Sequence, residues 1–340
     1  MIKSLAVRSG PLTVGVVGAG LIVQVVHLPL LGRLRELFRV AAIADPDGSV
    51  RAEVAARHGI ASAHEDHRAL LDAGGLDALL VCSPDATHAQ VVVDALEAGV
   101  HVLVEKPLCL TPEEGEWIVG ARDRSGLIVQ VAYMKRYDPA VEALLDDLSP
   151  ASTVRHVTTA TFDPGMRAAF GVGGPASEGG VEGAFLGALV HDVNLVSAAL
   201  ARCEVAAGRV VDAFGDAGCA GATVALDNGA RWTAVWLALP GAGAFREHVA
   251  LYAGDGVREL VFGAPYALHE PTVYRHLRAG GAGAVTTTRT SWREAYEHQL
   301  RHFHAVVTGA SPCRTPAEEG VADVRLLSDM LAARAAWAAA

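Results

Sequence analysis

Two glycines after the first apolar run have the spacing of a phosphate-binding turn. Gly18 and Gly20 follow this run with one residue between them. The first glycine permits a tight turn, and the second lets the backbone approach a pyrophosphate at the positive N-terminus of the next helix. Val23 replaces the third glycine of the fingerprint, which favours looser helix packing but leaves the phosphate contacts. We predict dinucleotide contacts by Gly18, Gly20, Leu21 and Ile22, with an ordinary strand–helix turn as the alternative.

An acidic residue lies at the distance from the glycines at which dinucleotide-binding units contact ribose. Asp45 follows the apolar run 40–44, about 25 residues after Gly20. Its carboxylate can accept hydrogen bonds from the adenosine ribose hydroxyls and would repel a 2′-phosphate. The sequence therefore predicts NAD rather than NADP as the cofactor. The alternative is that Asp45 only caps the next helix.

Two more polar loops follow short β-rich runs. Residues 82–88 follow one run, and Glu105, Lys106 and Pro107 follow the next. Loops at the carboxyl ends of parallel strands are where doubly wound sheets bind ligands. Lys106 can donate hydrogen bonds to a substrate hydroxyl or carbonyl, although a lysine before a proline is most often a surface residue. The cofactor contacts predicted in these loops are Ser83, Pro84, Thr87, His88, Glu105, Lys106 and Pro107.

The order of apolar and amphipathic stretches predicts an α/β fold with two domains. Up to about residue 132, strand-length runs alternate with helices, as expected of βαβ units in a doubly wound parallel sheet. Beyond about residue 151, longer alternating runs predict an open, mainly antiparallel sheet. We therefore expect a dinucleotide-binding domain over residues 1–132 and a substrate-binding and oligomerisation domain over 133–340, whose terminal helices can pack back on the first domain.

The individual elements are predicted from the same periodicities. Predicted strands are 12–17, 40–44, 78–82, 101–104, 127–132, 155–162, 209–214, 230–239 and 248–252. Predicted helices are 50–58, 88–98, 183–200, 292–308 and 316–339. Trp232 and Trp236 lie four apart in a strand, so we expect both on one side of the second sheet, in the core or at a subunit surface.

Charge and cysteine content disfavour several classes of partner. The formal net charge of −10 argues against binding to nucleic acid or to an anionic membrane. We expect no membrane span, because no run of about 18 apolar residues occurs, and residues 1–11 lack the apolar core of a signal peptide. The five cysteines are widely spaced without a C-x-x-C pair, which predicts no metal and a reducing cytoplasm.

Several motifs together resemble the glucose–fructose oxidoreductase, inositol dehydrogenase and rhizopine catabolism (Gfo/Idh/MocA) family of NAD(P)-dependent oxidoreductases. The resemblance covers nearly the whole chain. The motifs are Gly18-Ala19-Gly20, Ser83-Pro84 with Thr87-His88, Glu105-Lys106-Pro107, Lys135-Arg136-Tyr137-Asp138-Pro139, His191-Asp192-Val193-Asn194 and Gln299-Leu300-Arg301-His302-Phe303.

The resemblance implies a Rossmann domain followed by an α/β domain, whose sheet covers the nicotinamide and substrate and often pairs subunits. Lys106 matches the family's lysine near the substrate hydroxyl, and His191 matches its catalytic histidine at the start of a helix. We accordingly predict that Lys106 and His191 are catalytic. Arg136 is a predicted cofactor contact, and the predicted substrate contacts are Lys106, Tyr133, His191 and Asp192.

One position departs from the family's pattern. In dehydrogenases that the chain resembles, the histidine commonly works with an aspartate four residues earlier, and here that residue is Gly187. A glycine can neither orient an imidazole nor exchange a proton. Asp192 is a poor substitute, because neighbouring helix residues point about 100° apart. Glu178 and Glu182 are the other candidates, and His191 can also accept the proton unaided, bind substrate without proton transfer, or be a packed structural residue.

Three functions are compatible with these residues. The leading hypothesis is a dehydrogenase or reductase acting on a CH–OH group of a sugar, cyclitol or related polyol, with Lys106 and His191 handling the hydroxyl proton. The second is a redox-neutral enzyme in which transient oxidation permits elimination, epimerisation or glycoside cleavage. The third is a noncatalytic dinucleotide sensor, which Gly187 favours and the retention of Lys106 and His191 disfavours. An apolar sheet face predicts a homodimer or homotetramer through the C-terminal sheet.

Overall fold

Two sheets organise the chain, one in each of the units into which it divides. The first unit is Met1–Tyr133 with Tyr296–Val324, and the second is Met134–Ala295 with Arg325–Ala340. The computed structural model describes residues 10–163, 187, 189–216, 218–238, 245–263, 270–279, 285–290 and 292–338.

Short apolar runs form the sheet of the first unit, because strands buried on both faces need apolar residues at nearly every position. The strands are β1 (Leu12–Val17), β2 (Phe38–Ala44), β3 (Ser62–His64), β4 (Ala78–Val81), β5 (His101–Val104) and β6 (Val129–Val131). Their order is β3-β2-β1-β4-β5-β6 and every neighbouring pair is parallel. The strand order reverses between β1 and β4, where sheets of this kind bind ligands.

The helices of the first unit are α1 (Leu28–Arg33), α2 (Gly48–His58), α3 (His67–Asp72), α4 (His88–Glu97) and α5 (Pro112–Ser125). Three of these five, α2, α3 and α5, are capped by the side chain of the residue before them. The Asp47 carboxylate accepts hydrogen bonds from the N–H groups of Ser49 and Val50 and so caps α2. Before α1 the chain forms a π-helical turn, Val23–His27, in which the Val23 side chain is fully buried.

Alternating strands form the sheet of the second unit, which is mixed and mainly antiparallel. The strands are β7 (Val154–Asp163), β8 (Ala207–Gly215), β9 (Cys219–Leu226), β10 (Arg231–Ala238), β11 (Arg246–Ala253), β12 (Gly256–Phe262), β13 (Thr272–Arg278) and β14 (Val285–Thr290). Their order is β14-β13-β12-β11-β7-β10-β9-β8, and among them only β7 and β10 pair in parallel. The remaining helices are α6 (Pro139–Asp147), α7 (Val190–Arg202), α8 (Trp292–Val307) and α9 (Ala317–Ala338).

The two faces of the second sheet differ in burial. Trp232 and Trp236 lie on the covered face with 0% and 4% exposure, so the prediction that they share a side is confirmed and both belong to the core. On the opposite face Tyr252, Val257 and Leu277 occupy successive register positions across β11, β12 and β13. Tyr252 and Leu277 are exposed, which leaves an apolar row on this face.

Polar contacts at both ends attach α6 to the second sheet. At its N-terminus the Thr272 hydroxyl donates to the Asp138 carboxylate over 2.7 Å. At its C-terminus the buried Arg258 donates to the Asp147 carboxylate over 3.0 Å. Arg258 also donates to Asp255, and these hydrogen bonds lower the pKa of that carboxyl to about 2. The turn that precedes α6 is therefore held in place.

Periodicity located the predicted strands well. β1 and β5 coincide with their predicted ranges, and the ends of the other predicted strands differ by at most two residues. The helix expected over 183–200 is seen as α7 from Val190, and residues 183–186 lie outside the described part of the chain. Within the part of the chain that the structure describes, no helix has the length and apolar character needed to cross a membrane.

Candidate active site

Gly18 and Gly20 meet different steric conditions in the turn after β1. Gly18 has a φ of +93°, and a Cβ there would lie 2.5 Å from the carbonyl oxygen of Cys82. Only glycine fits this close approach of two strand ends. A Cβ on Gly20 would meet no described atom within 4 Å. Gly20 therefore borders open space, as a backbone cradle for a pyrophosphate requires. Leu21 and Ile22 follow it and are partly exposed.

Asp45 is connected to the glycine turn through its side chain. Its Oδ2 accepts a hydrogen bond from the Ala19 N–H over 2.7 Å, and its Oδ1 accepts from the Asp47 N–H over 2.9 Å. The cap of α2 is Asp47, so the alternative in which Asp45 caps this helix is wrong. Each carboxylate oxygen keeps a second lone pair that can accept from a ribose hydroxyl. Arg51 donates to the Asp45 carbonyl oxygen, which brings a cation to the same strand end.

His88 connects the two polar loops that follow β4 and β5 in the first unit. The ring is fully buried, with Nδ1 2.7 Å from the Pro107 carbonyl oxygen and Nε2 3.0 Å from the Ser83 carbonyl oxygen. The Thr87 hydroxyl donates within the first loop, to Ser83 or to the Pro84 carbonyl oxygen, over 2.7 Å in either case. Both nitrogens of His88 thus face protein carbonyls, so the ring holds the loops together. Thr87 and Pro84 are exposed and Ser83 is partly exposed.

A buried histidine holds the glutamate that precedes Lys106. His27 Nε2 lies 2.8 Å from Glu105 Oε1, and the Lys106 N–H donates to the other oxygen over 3.3 Å. Burial by itself raises the pKa of Glu105, but the hydrogen bond and charge of His27, with the charge of Lys106, bring it below its ordinary value. Glu105 is therefore an ionised anchor. The Lys106 side chain is partly exposed after a fixed main chain, and the Lys106–Pro107 bond is cis.

Cys82 lies close to His27 and Glu105, and all three are residue types that can bind metal ions. The candidate ligand atoms of His27, Cys82 and Glu105 all lie within 4.8 Å of one another. Burial, and then the Glu105 charge, raise the pKa of the Cys82 thiol well above its ordinary value. A protonated thiol beside a hydrogen-bonded pair is a packed arrangement rather than an open coordination site.

In the second unit, His191 lies in the first turn of α7 and is partly exposed. Its neighbour Asp192 points inward and is 1% exposed. Asn194 is also buried, and its Oδ1 accepts a hydrogen bond from Arg136 over 3.2 Å. The helix thus leaves the histidine partly exposed and buries Asp192 and Asn194.

Besides His88 and Pro107, three further predicted ligand contacts have buried side chains. Tyr133 in the first unit is nearly inaccessible, and burial followed by the charge of Asp323 raises the pKa of its hydroxyl well above the ordinary value. Arg136 and Asp192 are both buried within the second unit. The role of these three as cofactor or substrate contacts stays a prediction, and their burial favours a role in positioning.

Gly187, the position that departs from the family's pattern, is not crowded by any described atom. A Cβ on Gly187 would meet no atom within 4 Å in the described part of the chain. The alternative proton acceptors Glu178 and Glu182 lie outside the described residues.

Sequence reasoning missed His27 and Glu247, which hold site residues in place. His27 follows the glycine turn in an apolar stretch, where a lone imidazole is a signal for a buried partner. Glu247 occupies an inward position of β11, alternating with Val249 and Leu251. An acidic residue on the apolar face of an alternating strand is the signal that could have found it.

Comparison with known proteins gives one consistent family. The model of the Gfo/Idh/MocA oxidoreductase family, with an NAD-binding Rossmann fold, matches residues 12–133. Inositol 2-dehydrogenase 2 of Saccharopolyspora erythraea is 38% identical over 130 residues, covering 38% of each chain. The scyllo-inositol 2-dehydrogenase (NAD+) of Bacillus subtilis is 24% identical over 298 residues, covering 82% of this chain and 81% of that protein.

The solved structures agree in fold. The scyllo-inositol dehydrogenase of Lactobacillus casei with bound NAD(H) and scyllo-inositol has a TM-score of 0.77 at 18% identity, covering 95% of this chain and 97% of that one. Curated relatives at 33–38% identity are matched over only 36–42% of their own length. The match to the family model, over residues 12–133, lies in the first unit, and the solved structures agree in fold over nearly the whole chain.

Proposed function

We propose that this chain, whose residues 12–133 match the model of the Gfo/Idh/MocA family of NAD-binding oxidoreductases, is an NAD-dependent dehydrogenase or reductase acting on a CH–OH group of a cyclitol, sugar or related polyol. The observation that carries this proposal is the set of loops after β1, β4 and β5. These neighbouring strands place the open cradle at Gly20 and the anchored Lys106 at one edge of one sheet. Hydride transfer to or from a carbinol needs a bound nicotinamide and a hydrogen-bond donor at the reacting oxygen. The open turn at Gly20 can hold the dinucleotide, and Lys106 can be the donor.

Each residue has a different proposed role, which follows from its chemistry. The bound nicotinamide supplies the hydride acceptor or donor. Lys106 donates a hydrogen bond to the oxygen at the reacting carbon, which favours its negative form during oxidation. His191, partly exposed at the start of α7, accepts the hydroxyl proton. Glu105 and His88 keep the Lys106 turn in position, because the former binds the Lys106 N–H and the latter faces the Pro107 carbonyl.

Binding and turnover together test this function. Titration of the purified protein with NADH and NADPH, followed by a screen of cyclitols, polyols and sugars at 340 nm, should show dinucleotide binding and polyol-dependent reduction of NAD. Binding without turnover on any polyol would contradict the dehydrogenase proposal and favour a sensor. Absence of binding would contradict the cofactor assignment.

Asp45 gives the cofactor preference. Replacing it by asparagine should lower the ratio of NAD to NADP affinity about tenfold, or ~1.4 kcal/mol, because a neutral amide no longer repels the 2′-phosphate and the Arg51 guanidinium lies at the same strand end. Dissociation constants from fluorescence titration measure the ratio. Asp47→Asn is the matched control, since Asp47 caps α2, and an equal change in both variants would contradict the assignment.

Gly187→Asp should increase the rate. No described atom lies within 4 Å of a Cβ placed on Gly187, and an aspartate four positions before His191 can orient the imidazole and stabilise its protonated form. We expect kcat near pH 7 to rise about tenfold, below the 10²–10⁴ typical of acid–base groups, because the added carboxylate assists His191 and does not exchange the substrate proton itself. Steady-state kinetics measure the effect, and Gly187→Asn is the uncharged control. An equal response from both variants would contradict the proton role of His191.

An apolar row on the second sheet supports a proposal about assembly. The exposed row of Tyr252, Val257 and Leu277 is the kind of apolar face that a second subunit covers, so we propose a homodimer or homotetramer through this sheet. Sedimentation velocity would refute this by finding a monomer.

All five cysteines are free thiols, which supports a cytoplasmic location, testable by cell fractionation.

A further inference from the structure

Two carboxyl groups and one amine are buried together in the second unit. Asp192 of α7 is 1% exposed, and Glu247 of β11 is 4% exposed. Lys135, from the turn Met134–Tyr137, makes an ion pair with Glu247, and its Nζ lies 4.7 Å from the centre of the Phe262 ring. Two ionised carboxylates with one ammonium would leave a net negative charge in the interior, which is costly. The cluster therefore requires one additional proton.

The proton belongs on Asp192. Lys135 compensates Glu247, whereas no well-aligned hydrogen bond reaches either oxygen of Asp192 from the described residues. Burial raises the pKa of Asp192 well above its ordinary value, and the charge of Glu247 raises it further. Lys135 and the Thr159 hydroxyl of β7 act in the opposite direction without reversing the shift. Asp192 is thus a neutral acid beside the Lys135–Glu247 ion pair.

We propose that Asp192 is a positioning residue for His191: as a neutral acid it donates its proton to the Glu247 carboxylate, and this hydrogen bond fixes the first turn of α7 on β11. A carboxyl pair becomes a hydrogen bond only when one member is protonated, so the proton is part of the contact. The inference rests on the proposed role of His191 and extends it to the residue that sets the direction of the ring.

A second contact fixes the same helical turn. Arg136, adjacent to Lys135 in the turn before α6, donates to Asn194 two positions after Asp192. That turn is itself held, because α6 is attached to the sheet at both ends. Asp192 and Asn194 lie about 160° apart around α7, so their contacts hold the first turn from two sides and fix the direction of His191 with it. The groups described as facing Asp192 are Glu247 on β11, Lys135 on the turn and Thr159 on β7.

This arrangement has a defined pH dependence. Above pH about 4 the unfolded chain releases the Asp192 proton, whereas the folded chain keeps it. The contribution of Asp192 to stability is therefore complete below the pKa of the unfolded chain and is lost progressively as the pH rises toward the raised folded value. An amide at this position donates to Glu247 at every pH.

Substitutions at Asp192 separate positioning from simple packing. Asp192→Leu removes the donor but keeps a side chain branched at Cγ, and it should lower kcat about 10²-fold with a smaller change in KM, because small displacements of a reacting group are costly. Asp192→Asn should restore most of this loss. The melting temperature of Asp192→Asn relative to wild type should increase from pH 5 to pH 9, while the exposed control Asp212→Asn shows no such trend.

Two readouts require no turnover, so they remain decisive if the dehydrogenase proposal fails. One is the pH dependence of melting. The other is the ¹³Cε1 resonance of His191 in histidine-labelled protein, which should move in Asp192→Leu and return toward the wild-type position in Asp192→Asn. If Asp192→Leu does not fold, Glu247→Gln serves, because it removes the like charge and should weaken the pH trend. A wild-type pH trend in Asp192→Asn, or an unmoved His191 signal in the folded Asp192→Leu variant, would overturn the inference.

Discussion

Replacing Lys106 by methionine should lower kcat about 10²- to 10⁴-fold while dinucleotide binding survives. The loss follows from removing the donor that stabilises negative charge on the reacting oxygen. Binding survives because main-chain contacts hold the loop: the Lys106 N–H bonds Glu105, and the Pro107 carbonyl faces His88. Single-turnover hydride transfer at 340 nm gives the rate, and NADH fluorescence gives the affinity.

Two further variants identify what the lysine contributes. Lys106→Arg keeps the charge but changes the geometry of the donor, so it should recover only part of the rate. His191→Gln in the same assay should also lower kcat and should flatten the acidic limb of the pH–rate profile, because that limb reports protonation of the base. Wild-type kcat in Lys106→Met would contradict the assignment. Loss of NADH binding in that variant would make Lys106 a cofactor residue instead.

Alanine at Gly18 and at Gly20 should produce opposite defects. Gly18→Ala places a Cβ 2.5 Å from the Cys82 carbonyl oxygen at a φ of +93°, so the backbone must move. We expect a loss of about 2–5 kcal/mol in the free energy of unfolding, from overpacking and backbone strain together. Gly20→Ala meets no described atom within 4 Å and should retain wild-type stability.

The Gly18→Ala and Gly20→Ala variants distinguish an effect on stability from an effect on ligand binding. In Gly20→Ala the new methyl group occupies the space through which the backbone approaches the pyrophosphate, so the affinity for NADH should fall about tenfold, or ~1.4 kcal/mol. Urea denaturation and NADH titration of both variants measure the two effects. Destabilisation of Gly20→Ala, or unchanged NADH affinity in that variant, would show that the cradle is not where the glycines indicate.

Local pattern determined most of the fold and the loops that carry the site. Strand and helix periodicity depends on nearby residues, which is why β1 and β5 were located to the residue and why Gly18 and Lys106 were correctly placed at strand ends. The short elements β3 and α3 were missed, because three to six residues give too little periodicity. The longer strands β9, β12 and β13 and the helices α5 and α6 were also not predicted. The parallel pairing of β7 with β10 was also missed, since pairing joins distant segments.

The contacts that hold the site residues were decided by tertiary structure. His27 and Glu105 are 78 positions apart, and Lys135 and Glu247 are 112 positions apart. No periodicity links such residues, and the protonation of Asp192 depends on a neighbour that only the sheet supplies. The sequence by itself therefore predicted which loops follow the strands and which of their residue types can react. Tertiary structure decided which side chains are fixed, which are buried and which proton is retained, because burial and long-range pairing arise only when distant segments pack together.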